Sequence, residues 1–148
     1  MSVRVYLEKN LTPDLVEEAM PLIKALHIEA MGHELPGLNT DFLRDAVIAD
    51  MLRVVLARDG AKLVGFLLAF QVTSLTGKKQ ISIHQVYVMP EYRARGRSPA
   101  VAMVELIQTL ATGAKATVNA VARGTLATDF YIAMGATPVE LVLEFNNG

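Results

Sequence analysis

Two β-rich apolar runs separated by a two-residue turn constrain the fold of this chain most strongly. The runs cover 53–58 and 61–72, and Asp59-Gly60 lies between them. Asp-Gly adopts the backbone turn that matches the twist of two antiparallel strands, so the pattern predicts a hairpin. A second turn, "TGKK", leads into the strand "QISIHQVYV" at 80–88. Residues 53–88 are therefore predicted to form a three-stranded antiparallel meander.

A strand and two helices are predicted before this meander. Residues 2–8 alternate loosely, as in a strand. Thr12 is then a helix cap with Pro13 at the first helical position, and apolar residues follow at helical spacing. The segment "GHELPGLNT" predicts a loop, and Asn39 or Thr40 can cap a second helix over about 41–51.

The rest of the chain alternates helices and strands. Ser98 is predicted to cap a third helix that has Pro99 at its first position and ends at Gly113. The strand "KATVNAVA", the helix "LATDFYIAM" ended by Gly135, and the strand "VELVLEF" follow. The predicted order is β-α-α-β-β-β-α-β-α-β, without internal repeats or a linker.

Length and charge limit the classes of function. The 148 residues fit one domain, 1–148, with enough chain to bury a core. The apolar stretch at 63–70 is far shorter than the roughly 20 residues of a membrane helix. The segment "MSVRVYLEKN" lacks the apolar region typical of a secretory signal, and the sequence contains no cysteine. A formal net charge of −1 gives no overall attraction for nucleic acid or an anionic membrane. We expect a cytoplasmic protein whose partners are neither nucleic acid nor membrane.

Three arginines and a glycine stand where the third meander strand meets the following helix. Arg93, Arg95 and Arg97 surround Gly96 in "YRARGRSP". A strand that runs through a glycine turn into a helix directs free N–H groups and the positive end of the helix dipole at one point, which suits phosphate. Gly96 allows close approach and the arginines can pair with phosphate oxygens. A solvated turn is the alternative; the strand, glycine and cap together favour an anion site.

Residues 88–98, "VMPEYRARGRS", resemble the signature of the GNAT family of N-acetyltransferases. That signature is Arg/Gln-x-x-Gly-x-Gly/Ala after a strand that often ends Val-x-Pro-x-Tyr; Ser98 stands at its last position here. "FYIAMGA" at 130–136 is similar to the family's Phe-Tyr-x-x-x-Gly-Phe/Ala, and the element order matches. The resemblance implies an α/β (α+β) fold with a mixed, mostly antiparallel central sheet flanked by helices.

The resemblance also implies acetyl-coenzyme A as co-substrate. The backbone of Val86 and Val88 is expected to hydrogen-bond the pantetheine arm, and backbone N–H groups over 95–100 are expected to hold the pyrophosphate. Arg93 is carried over as the first signature position. The implied cofactor-binding residues are Val86, Tyr87, Val88, Arg93, Ala94, Arg95, Gly96, Arg97, Ser98, Pro99 and Ala100.

Two residues are candidates for acid–base chemistry. An alkyl amine with a pKa of ~10.4 must lose a proton before it attacks a thioester. Strand alternation predicts that His84 shares a face with Val86 and Val88, where it can act as the base. Many family members have a glutamate on this strand. Because this chain has none there, ordered water is the other route by which the amine proton can leave. A purely structural role for His84 is a third interpretation. Tyr131, at the family's tyrosine position, is the candidate acid, with plain core packing as the alternative.

The acceptor and the activity itself remain open on sequence alone. By resemblance, residues 30–45 line the acceptor side, and the acceptor is a small-molecule amine or a peptide or protein amine. His27 and His33 lack metal-ligand spacing, so no metal is expected. A homodimer is the assembly expected. Ser98, the missing glutamate, and Gly124 where relatives often have asparagine keep a second function open: a non-catalytic protein of this fold that binds coenzyme A or serves a structural or regulatory role.

Overall fold

A computed structural model of the chain describes residues 2–35, 37–93, 98–122, 125–139 and 143–146. Its elements are β1 (Val3–Glu8), α1 (Pro13–Met31), α2 (Thr40–Ile48), β2 (Leu52–Asp59), β3 (Lys62–Thr73), β4 (Lys79–Val88), a 3₁₀ turn (Pro90–Tyr92), α3 (Pro99–Ala114), β5 (Thr117–Ala120) and α4 (Thr125–Ala133). None of the described helices combines the length and the apolar character needed to cross a membrane.

The predicted meander is confirmed as the centre of a five-stranded sheet. The strand order is β1-β2-β3-β4-β5, with antiparallel pairing from β1 to β4 and parallel pairing between β4 and β5. Gly60 takes up a positive φ of 60° in the turn between β2 and β3, which the Asp-Gly pair favours. The mixed, mostly antiparallel sheet confirms the predicted fold class.

Helices cover both faces of this sheet. The face under α3 and α4, called the α3 face below, buries a cluster that includes Val55, Leu67, Ile83 and Met103. The opposite face, called the α1 face, packs against α1 and α2 through a second cluster that includes Leu56 and Phe66 with Leu22 of α1 and Val47 of α2. Two separate cores therefore hold the sheet between helix layers.

The helix starts follow the capping signals of the sequence. Leu15 N donates to Thr12 Oγ1 at 3.1 Å at the start of α1. Asn39, and not Thr40, caps α2, because Phe42 N donates to Asn39 Oδ1 at 3.0 Å. Each bond satisfies a backbone N–H that has no partner within its helix.

The end of α3 and the C-terminal segment differ from the sequence prediction. The helix continues through Gly113 to Ala114 and ends where Lys115 adopts a left-handed conformation, φ 53°. Gly113 is tolerated inside the helix because a helical glycine costs only about 1 kcal/mol relative to alanine. The predicted last strand, 139–145, falls partly on 140–142, outside the described residues; the described positions Val139 and 143–146 are not in a strand.

Candidate active site

The parallel pairing of β4 and β5 ends partway along β4 and leaves a fork between the two strands. Residues 80–83 pair with 117–120, and Val121 N donates to Ile83 O at 2.9 Å as the last rung. β4 continues to Val88 and, within the described part of the chain, pairs there with β3 alone. Its other edge therefore offers an extended ligand the backbone N–H and C=O of Val86 and the N–H of Val88, whose C=O accepts from Arg93.

His84 lies at this fork in a β-bulge. Leu68 of β3 is opposite Gln85, and the next residue, Ala69, is opposite Ile83, so His84 is an extra residue on β4. Its exposed ring meets the ring of Phe70 edge-on, with 5.1 Å between centroids.

The bulge changes the face on which His84 lies. Phe70 packs against the core of the α1 face, whereas Val86 and Val88 belong to the α3 face. The prediction that His84 shares a face with Val86 and Val88 is therefore wrong. Period-two alternation holds only along a regular strand, and the extra residue interrupts it.

Tyr131 lies on the other side of the fork, in the core of the α3 face. Its side chain is 9% exposed and belongs to the same buried cluster as Ile83 and Val88. Burial raises the pKa of its phenol to about 12. The hydroxyl consequently keeps its proton at neutral pH.

Arg93 is bonded to protein groups on both sides of its guanidinium. Its Nε donates to Val88 O at 2.7 Å, and its Nη2 donates to both carboxylate oxygens of Glu29 at 3.0 Å. The guanidinium carbon lies 5.2 Å from the ring centroid of Tyr87. These contacts connect the end of β4 to α1, a role that the sequence did not indicate because Glu29 is 64 residues away in the chain.

The side chain of Tyr87 faces away from the fork's α3 side. It is buried on the α1 face against Phe66, with 6.2 Å between ring centroids. Burial is the main cause that raises the pKa of its phenol, followed by the nearby Glu29 carboxylate. The carbonyl of Tyr87 is directed at Gly65 of β3, so among the predicted cofactor residues on β4 only Val86 and Val88 turn backbone groups toward the fork.

At the start of α3, the helix cap engages one of the backbone N–H groups expected to bind phosphate. Ala100 N donates to Ser98 Oγ at 3.2 Å, as the capping prediction required. Pro99 has no N–H to offer. The predictions for Ala94, Arg95, Gly96 and Arg97 lie outside the described residues. Upstream, Tyr92 anchors the 3₁₀ turn, since its hydroxyl donates to Asp59 Oδ2 at 2.7 Å.

The loop after α1 is held by its own His33 and by His27 of α1. His27 Nδ1 donates to the His33 carbonyl at 2.9 Å, and His33 Nδ1 donates to the Glu34 carbonyl at 3.0 Å. Their rings meet edge-on at 4.8 Å. Across the described ranges, no group of three or more His, Cys, Asp or Glu side chains is arranged to hold a metal ion.

Comparison with known proteins identifies related sequences and folds. The profile of the Acetyltransferase (GNAT) family matches residues 19–133, more than half of the chain. No curated protein matches the sequence.

Solved structures of similar fold include acetyltransferases with different names. One is an aminoglycoside acetyltransferase from an uncultured soil metagenomic sample, with 21% identity, a TM-score of 0.75 and complete coverage of both chains. Another is a ribosomal-protein-alanine N-acetyltransferase from Brucella melitensis biovar Abortus, with 18% identity, a TM-score of 0.72, and 98% and 100% of the two chains covered. A predicted acetyltransferase from Clostridium acetobutylicum, with acetyl-CoA, has 17% identity, a TM-score of 0.76, and 98% and 96% covered. At these identities the likeness shows a shared fold.

Proposed function

The chain belongs to the GNAT acetyltransferase family, and on that premise we propose that it moves an acetyl group from acetyl-coenzyme A to a primary amine by direct attack in a ternary complex. The fork between β4 and β5 carries this proposal. The edge of β4 beyond its pairing with β5 suits the amide groups of an extended pantetheine arm, with backbone groups of Val86 and Val88 as its partners. The pyrophosphate is assigned to the turn before α3.

Amine deprotonation is assigned to the α1 face of the sheet. His84 lies there at the end of the β4–β5 pairing, and a neutral imidazole with a reference pKa of ~6.5 can accept a proton at neutral pH. The amine lone pair forms the new N–C bond, and one amine proton passes to His84 or through water to solvent.

Protonation of the leaving thiolate is assigned to the α3 face. Tyr131 is buried in the core of that face and retains its proton. A phenol with a pKa of about 12 is a weak acid toward a thiolate in water. The same burial disfavours the thiolate anion, so the Tyr131 hydroxyl transfers its proton to the sulfur as the C–S bond breaks. The sulfur leaves as a thiol, and the phenolate then regains a proton from water.

The acceptor class is proposed as a small-molecule amine or a peptide or protein amine. Structural relatives carry names of both kinds, aminoglycoside and ribosomal-protein-alanine acetyltransferases. On this chain the acceptor side combines exposed apolar groups, including Met31 and Phe42, with Asp41 and Asp45, which both lie near Arg44 at 3.5 and 3.6 Å. Both acceptor kinds belong in the test.

We further propose that the protein works in the cytoplasm as a homodimer. Near the C-terminus, Val139, Leu143 and Phe145 are 75%, 77% and 86% exposed. Exposed large apolar groups favour burial against another protein surface, and a second copy of the chain is the partner proposed here.

The deciding experiment combines native mass spectrometry with acetyl-coenzyme A and a thiol-release screen against amines. The screen includes small amines, an aminoglycoside and peptides with a free N-terminus or lysine. Binding with amine-dependent thiol release supports the transferase. Binding without release supports a non-catalytic protein that binds coenzyme A, and absence of binding contradicts both.

A further inference from the structure

Asn119 of β5 carries a buried polar atom that the fold does not satisfy. In the described part of the chain, its Oδ1 is the one buried side-chain nitrogen or oxygen without a hydrogen-bond partner. Native proteins pair such atoms as a rule, because an unpaired buried acceptor is unfavourable. The unpaired oxygen therefore points to a ligand that supplies a donor.

The strand register shows which face of the sheet Asn119 occupies. Its neighbours Val118 and Ala120 pack against the core of the α3 face, so alternation puts Asn119 on the α1 face. On that face it is in register with Ser82 of β4, which is in register with Phe70 of β3. Asn119, Ser82 and Phe70 thus form one row across three strands.

This row lies next to the fork. The β4–β5 pairing ends one residue beyond Asn119, at Ala120 opposite Ile83. His84, whose ring contacts Phe70, follows Ser82 by two positions on β4. Two residues of strand span roughly 6–7 Å. Asn119 lies one strand away from Ser82, so the diagonal from Asn119 to His84 combines this rise with a strand spacing of ~4.8 Å and is roughly 8 Å between Cα atoms. Two side chains that reach toward each other from that separation can both hydrogen-bond one nitrogen atom at ~3 Å.

We propose that Asn119 binds the acceptor amine and makes the site selective for primary amines. This inference rests on the proposed function. The amine approaches the thioester from the α1 face, and Asn119 Oδ1 accepts one of its N–H groups. An amine N–H supplies the donor that this oxygen lacks. Ser82 lies beside it in register.

The number of protons on the amine nitrogen explains the selectivity for primary over secondary amines. After a neutral primary amine attacks the carbonyl carbon, its nitrogen carries two protons: one hydrogen-bonds to Asn119 and the other leaves to His84 or water. The C–S bond then breaks and the sulfur takes its proton from Tyr131 or water. A secondary amine carries one proton at the same stage, so it cannot serve both partners. The neutral amide also orients the amine without stabilising its ammonium form, as a carboxylate would.

The test compares Asn119→Leu and Asn119→Asp with the parent protein. Thr117→Ala is the matched control, since Thr117 lies two residues away on the same face of β5. The substrates are n-butylamine and the fastest amine of the screen, each with its N-methyl derivative. Acetyl-coenzyme A affinity and melting temperature are measured alongside thiol release.

For Asn119→Leu we expect kcat/KM for the primary amine to fall about tenfold and the preference over the N-methyl amine to shrink. Acetyl-coenzyme A affinity should stay within about twofold, and the melting temperature should not fall, because an unpaired amide is replaced by an apolar group of similar size. For Asn119→Asp the pH–rate profile should shift to higher pH, since the carboxylate stabilises the ammonium form of the acceptor amine.

An active Asn119→Leu protein with the parental amine preference would overturn the inference while leaving the transferase intact. A loss of acetyl-coenzyme A affinity as large as the loss of kcat/KM would also overturn it, because Asn119 would then belong to the cofactor site. A parent protein that releases no thiol with any amine overturns the proposed function, and this inference with it.

Discussion

The two titratable residues of the proposed chemistry are separated by the sheet itself. His84 is exposed on the α1 face and Tyr131 is buried under the α3 face. The fork is the place where a ligand can be reached from both sides. Each residue can therefore be removed without disturbing the packing of the other.

Replacing His84 by alanine tests the proposed base. Turnover should fall by roughly 10²- to 10⁴-fold, the usual contribution of a positioned base, while acetyl-coenzyme A affinity is retained. The pH–rate profile should change, because the proposed proton acceptor is gone. Gln85→Ala, the exposed neighbour on β4, is the control. A His84→Ala profile like that of the parent would assign the proton to water.

Replacing Tyr131 by phenylalanine removes one hydroxyl and keeps the ring's packing. If that hydroxyl serves the leaving sulfur, turnover should fall by roughly 10²- to 10⁴-fold with acetyl-coenzyme A still bound. Thiol-release kinetics measure this directly. Near-parental turnover would mean that Tyr131 only packs the core.

The same variant should change stability at alkaline pH. The folded pKa of about 12 exceeds the ordinary value of 10, so the unfolded state ionises first. The stabilisation is complete below pH 10 and is lost as pH rises toward 12. Urea unfolding of Tyr131→Phe should therefore show a weaker loss between pH 10 and 12 than the parent. A part of that loss will remain, because burial also raises the pKa of Tyr87.

At the level of elements, Arg93 joins β4 to α1. Arg93→Ala removes the hydrogen bond to Val88 O and both bonds to Glu29. Denaturant unfolding should show a loss of about 1.5–3 kcal/mol, typical of a hydrogen bond to a charged group. Glu29→Gln keeps the bond to Val88 O and should lose at most about 1 kcal/mol, because the ion pair is partly exposed. Equal losses in both variants would contradict this division.

Gly65 determines the spacing between β3 and the end of β4 that extends beyond its pairing with β5. A Cβ at this position would lie 2.7 Å from Tyr87 O and 3.3 Å from Val88 Cγ2. Gly65→Ala should therefore destabilise the protein by about 1–3 kcal/mol and weaken acetyl-coenzyme A binding by moving the edge that the arm uses. Gly113→Ala is the control, because it has open space in a helix and should stabilise by up to about 1 kcal/mol. Unchanged binding in Gly65→Ala would argue against the fork as the cofactor site.

Local sequence patterns predict the helices and strands, but they do not predict contacts between residues that are far apart in the chain. The Asp59-Gly60 turn and the caps at Thr12 and Ser98 depend on a few neighbouring residues, so the sequence reveals them. The bulge at His84 arises from how β3 and β4 pair, and a single strand read by itself carries no sign of it. The unpaired oxygen of Asn119 likewise depends on what surrounds it after folding.

At the level of the whole molecule, the proposed homodimer has a direct measurement. Light scattering behind size exclusion should give twice the mass of one chain, because a partner covers the exposed apolar groups near the C-terminus. Replacing Leu143 and Phe145 by serine should shift the mass toward one chain with little loss of stability, since neither side chain is buried in the described structure. A parent that has the mass of one chain at high concentration would contradict the proposal.

The fork also bears on how freely such a protein can be re-engineered. Along 84–88 the ligand edge is backbone, which every residue type except proline supplies in full. The side chains of the same segment point to the two faces of the sheet. On the proposed function, donor recognition therefore uses backbone atoms of this strand and acceptor choice uses its side chains. A library that varies His84, Gln85 and the row at Ser82 and Asn119 can therefore search for new acceptors while the donor site is inherited unchanged.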